Sequence, residues 1–191
     1  MKNSHKYNHE NLVMQAWGLC FAMIDEFSFE TKIFRKVIET AIVTQEQFES
    51  LINCFNVIYN IHSELDISDA NQKRIAKRIV TRTHLVALTK IIMDALEDDY
   101  EILHIIEWVK VFFDGGRSAS VDSVYNTSCG AGSARRDKID ARMNAMNGHF
   151  ISYMTRIGQR TPTDNSRIEL ESEGDENTDA DQYVNEEKYA I

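Results

Sequence analysis

Residues 66–99, DISDANQKRIAKRIVTRTHLVALTKIIMDALEDD, decide how the chain is read. Ile75, Ala76, Ile79, Val80, Thr83, Ala87, Leu88, Ile91, Ile92 and Ala95 recur at three- and four-residue intervals, the spacing of one helix face, for about five turns. Ser68 is placed to cap this helix, with Asp69 beside its positive end. The cluster of β-branched residues near Thr81–Thr83 leaves room for a break in what otherwise reads as one helix. A second pattern shares the segment. Lys73, Arg74, Lys77, Arg78 and Arg82 form a basic strip beside the apolar stripe, with no acid between Lys73 and Asp94.

The same period continues on both sides. Leu12, Ala16, Leu19, Cys20, Met23 and Phe27 mark a helix over about 8–27. Ile33, Phe34, Val37, Ile38 and Ala41 mark one over 28–43, with Ser28 as its cap. Thr44 and Gln47 make a capping box ahead of Phe48, Leu51, Ile52, Phe55 and Tyr59, the expected core face of a third helix. After the long segment, 98–116 is apolar nearly all round, as a central helix is, and stops at Gly115–Gly116. Residues 115–132 read as a Gly/Ser-rich mobile loop. The last helix, about 133–157, carries Ile139, Met143, Met146, Phe150, Tyr153 and Ile157. One proline and eight glycines in 191 residues, with 43% apolar residues, suit long helices and a sizeable core. The expected fold is all-α, a bundle of about six helices over 1–160, followed by a disordered acidic tail over 161–191.

Charge is distributed unevenly. From Asp164 onward there are ten acids and two bases, so most of the net charge of −9 belongs to the tail and the first 163 residues are close to neutral. A near-neutral body with an acid-free basic strip suits a phosphate backbone. Arg135, Arg136 and Arg142 on the last helix would widen that patch, and the tail would compete for it as an intramolecular brake. The leading expectation is therefore a non-enzymatic regulatory or accessory module that contacts nucleic acid through Lys73, Arg74, Lys77, Arg78, Arg82, Arg135, Arg136 and Arg142. The alternative is a helical protein-interaction module, an adaptor or inhibitor, with no nucleic-acid contact.

Other chemistry is weakly signalled. In NTSCGAGSARRDK, 126–138, two glycines precede a Ser and three bases, but the Walker spacing and a preceding strand are missing, so it reads as a helix start capped by Ser133. Cys129 beside Arg135 and Arg136 would be a nucleophile only with a base, for which His149 is the nearest thought. His104, between Tyr100 and Trp108, reads as a satisfied core histidine, and His5 with His9 as a frayed polar end. No cofactor or metal is expected. Three scattered cysteines suggest no disulfide framework, no apolar run reaches the 18–20 residues of a membrane span, and the polar N-terminus lacks a signal peptide's apolar stretch. The expectation from these is a soluble, intracellular protein with no membrane contact.

Overall fold

The computed structural model describes residues 8–22, 27–66 and 69–159. The chain divides into two units, Met1–Gln159 and Arg160–Ile191. The second, with the expected acidic tail, lies outside the described residues, as does His5. The fold is all-α. Eight helices occur among the described residues: α1 (Asn8–Phe21), α2 (Thr31–Thr40), α3 (Gln45–Asp66), α4 (Ala70–Ile79), α5 (Arg82–Glu97), α6 (Ile102–Phe112), α7 (Ser123–Ser128) and α8 (Arg136–Arg156).

Two differences from six helices have local causes. The 66–99 segment is two helices. α4 ends where Val80 turns and Thr81 takes an extended backbone, and the Thr81 hydroxyl closes the turn onto the Arg78 carbonyl at 2.9 Å. The expected mobile loop also contains α7, capped by Asp122, whose carboxylate accepts from the Tyr125 amide at 2.7 Å. The caps move by a residue or two elsewhere. Asp69 caps α4 by accepting from the Asn71 and Gln72 amides. α2 starts behind Glu30 and α8 behind Arg135, neither of which makes a side-chain cap, so Ser28 and Ser133 do not cap them. The Thr44–Gln47 capping box is formed in both directions at 3.2 Å.

The core is built around α5 and α6. Leu88, Ile92, Ile105, Trp108, Phe112, Phe113 and Tyr125 are all fully buried. Trp108 meets Phe150 edge-on with 5.0 Å between ring centres, and Phe112 meets Tyr125 at 5.0 Å. The Trp108 indole N–H donates to His149 Nδ1 at 3.1 Å, satisfying the polar edge of a buried ring. Truncating such a side chain to alanine costs about 3–5 kcal/mol. α5 and α8 run in the same direction: Arg142 acts on His84 at the start of α5, and Phe150 meets Tyr100 just past its end. α1 packs on α5 and α3, and α4 on α3 and α5.

On α3 the core face is Leu51, Cys54, Val57, Ile58, Ile61 and Leu65. Of the expected face only Leu51 is fully buried; Phe48, Ile52 and Tyr59 are in solvent. The helix is apolar on two sides, and packing selected the side the sequence pattern did not single out.

Candidate functional site

Three features compete for the role of site: the basic face of α4, a polar cluster under the start of α5, and the outer face of α3. The bases come first. Lys73 and Lys77 lie one turn apart on α4 and are exposed. The arginines that follow each of them are engaged by the body. Arg74 bonds Asn71 and lies 3.4 Å from the Asp114 carboxylate. Arg78 turns inward and donates to the carbonyls of Phe113 at 3.1 Å and Gly116 at 2.5 Å, so it closes the C-terminal end of α6. Arg82 belongs to the next helix, and its Nε donates to Gln15 of α1 at 2.9 Å. The five bases are therefore not one strip on one rod. Asp114 and the Phe113 and Gly116 carbonyls come from a distant segment that nothing in residues 73–94 reveals.

The second basic group separates further. Arg135 pairs with Asp137 at 3.0 Å and Arg136 with Asp140 at 3.3 Å, both exposed and both within the helix or its cap. Such exposed pairs contribute little to stability. Arg142 does not widen any surface patch. It is 3% exposed, and its Nη1 donates to the Ser128 and Ser133 carbonyls at 2.8 and 2.9 Å. Position 142 lies three residues after Ile139 and four before Met146, on the buried side of α8. That spacing was the available signal.

Arg142 belongs to the polar cluster. The Tyr125 hydroxyl lies 2.8 Å from His84 Nδ1, and the Cys129 sulfur 3.8 Å from the same nitrogen. Burial, reinforced by the positive charges of Arg142 and Arg78, pushes His84 down to about 4, so the imidazole is neutral at neutral pH. Burial pushes the Cys129 thiol up, against the lowering pull of Arg142 and the bond from Tyr125. Burial likewise raises Tyr125 well above its usual value. The histidine beside Cys129 is His84 and not His149, whose Nδ1 accepts from Trp108. A thiol held in its protonated form by burial is a poor nucleophile. Cys20 and Cys54 are pushed up to about 12, again first by burial. His104 is not a core residue: it is half-buried, 3.5 Å from Glu101 on the first turn of α6. Among the described residues no group of three His, Cys, Asp or Glu is placed to hold a metal. None of their helices is long and apolar enough to cross a membrane.

The outer face of α3 is the feature that the body leaves unengaged. Phe48, Ile52 and Tyr59 repeat along one side, with half-buried Phe55 between them. Just ahead of α3, Ile42 and Val43 are also in solvent, and Ile42 is 82% and Tyr59 68% exposed, whereas Ile38 of α2 lines a depression with Gln15, Phe29 and Arg82. Scattered exposed aliphatics are ordinary, whereas apolar side chains that repeat along one helix face and continue into its lead-in are less so. Along its described length α3 carries the acids Glu46, Glu49 and Glu64, the last paired with Lys110 at 2.7 Å, and no lysine or arginine. Comparison with protein-family models, with curated proteins and with solved structures finds no match for the chain.

Proposed function

We propose that the protein is a helical protein-interaction module whose docking surface is the outer face of α3 with the α2–α3 connection. The observation that carries this reading is the set of five large apolar side chains, Ile42, Val43, Phe48, Ile52 and Tyr59, left in solvent on α3 and the connection before it. Burying such side chains against a partner supplies a driving force of about 25 cal/mol per Å². The fitting partner is an amphipathic helix that lays an apolar face on Phe48, Ile52 and Tyr59 and sets basic residues against Glu46 and Glu49. The test is a photo-crosslinking residue placed at position 52 or at position 73 of the full chain, in the cell that makes it. The expected result is a discrete protein adduct from 52 that disappears when Tyr59 is changed to Asp. No adduct from 52 would overturn the reading.

A second reading has its own support. Lys73 and Lys77 project into solvent a turn apart, and exposed Arg117 follows Gly116, whose carbonyl Arg78 holds. We propose phosphate contact by this smaller group as the alternative, with the acidic tail as its competitor. A mobility-shift titration on duplex DNA and on RNA at several salt concentrations, with and without residues 164–191, tests it. Binding that weakens with salt and drops in a Lys73→Ala, Lys77→Ala protein is expected. No shift at low salt without the tail rejects it.

A further inference from the structure

We propose that the protein also binds a small organic phosphate, a phosphomonoester with an apolar or aromatic body, in a cavity at the start of α5. The cavity, of about 320 Å³, is lined among others by Gln15 of α1, Phe29 ahead of α2, Arg82 and Thr83 of α5, and Ser133 and Arg142 around the start of α8. It is separate from the α3 docking face and does not depend on it.

Charge is the first argument. Two arginines line the cavity, and none of its lining residues among those described carries a carboxylate. Arg142 is almost completely buried, and its Nε has no hydrogen-bond partner among the described residues. A buried cation whose partners are two backbone carbonyls through one nitrogen is incompletely compensated, and an anion in the adjoining space completes it. Arg82 is already oriented by its bond to Gln15, which Asn11 holds in turn at 3.2 Å. Two arginines lining one volume suit the double charge of a phosphate better than the single charge of a carboxylate. Thr83 and Ser133 add hydroxyl donors to the wall, and α8 begins at Arg136, so the partial positive charge of its first turn lies close by.

Size and shape supply the organic part. The volume falls at the small end of the range for pockets that enclose organic ligands, well beyond what a bare phosphate fills. Phe29 offers a fixed apolar wall. Its amide donates to the Ala134 carbonyl at 2.9 Å, and its ring meets Phe27 and Phe34 edge-on at 5.1 and 6.2 Å. A wider depression of about 570 Å³ adjoins the cavity through the shared residues Gln15, Phe29 and Arg82, and gives the organic part a way out to solvent.

The test titrates the full chain with phenyl phosphate, inorganic phosphate and benzoate, followed by amide NMR shifts and by thermal melting. The expected result is saturable binding of phenyl phosphate, at least tenfold tighter than either of the others, with shifts at Thr83, Ser133 and Ala134. Ala134→Met, which fills the cavity, and Arg82→Gln, which removes a surface-reaching guanidinium, are each expected to weaken binding at least tenfold. Arg82→Gln carries the test if the Met variant does not fold. No saturable response, equal response to all three probes, shifts confined to α4, or unchanged binding in Arg82→Gln would overturn the proposal.

Discussion

α3 and α4 are consecutive and packed on one another, yet they meet solvent in opposite ways. The outer face of α3 is apolar, and no other part of the described chain covers it, whereas α4 presents cations of which the arginines are already held by the body. A basic pattern in sequence thus counts for less as a binding surface than an apolar face that folding leaves uncovered, because guanidinium groups are readily recruited as internal hydrogen-bond donors.

The strongest way to break this contrast is on α3. Ile52→Asp combined with Tyr59→Asp is expected to weaken partner binding about a thousandfold, or about 4 kcal/mol. Circular dichroism and the melting temperature should barely change, since both side chains are exposed. A large loss of stability would mean that the face is internal support. The next largest effect concerns the inward-facing cations. His84 titrates near 6.5 when unfolded and at about 4 when folded, so the unfolded chain takes up a proton that the folded chain refuses. Stability is level above pH 6.5 from this group and falls as the pH drops from about 6.5 to 4, by up to about 3 kcal/mol. Urea melts across that range should show the extra acid sensitivity in the native chain and not in His84→Gln. Arg78→Ala is expected to cost about 2 kcal/mol in the same melts, because two backbone carbonyls lose a charged donor. The smallest effects are on the free bases: Lys73→Ala and Lys77→Ala should each change stability by less than about 0.5 kcal/mol. An Arg78 variant as mild as the lysine variants would erase the distinction between held and free cations.

The helical period made most of the fold legible. The stripes through Ala16, Val37, Ile75, Ile92 and Phe150 all run into the core, but the apolar helix at 102–112 is buried only along Ile105, Trp108, Val109 and Phe112 and leaves Ile102, Leu103 and Val111 in solvent, so its all-round pattern overstates its burial. Where a helix has two apolar sides, as α3 does, periodicity alone does not say which side meets the other helices. The break at Thr81 was signalled by β-branched residues, but α7 was hidden in a Gly/Ser-rich stretch whose only cue was Asp122 ahead of Ser123. The candidate site was less legible for a physical reason. Whether an arginine is free depends on carbonyls and carboxylates that arrive from far along the chain, as Gly116 and Asp114 do for Arg78 and Arg74. The cavity residues span positions 15 to 142, and of them only Arg142, on the buried side of its helix, had a local signature.

One oxygen links the proposed docking face to the rest of the molecule. Gln47 Oε1 accepts both the Thr44 amide that starts α3 and, at 3.0 Å, the indole N–H of Trp17 on α1. Phe48 is the very next residue. A ligand that shifts the first turn of α3 therefore changes the polarity around a buried indole. The chain carries its own optical probe of occupancy: the emission wavelength of Trp17, read against Trp108 in the interior as a silent internal standard.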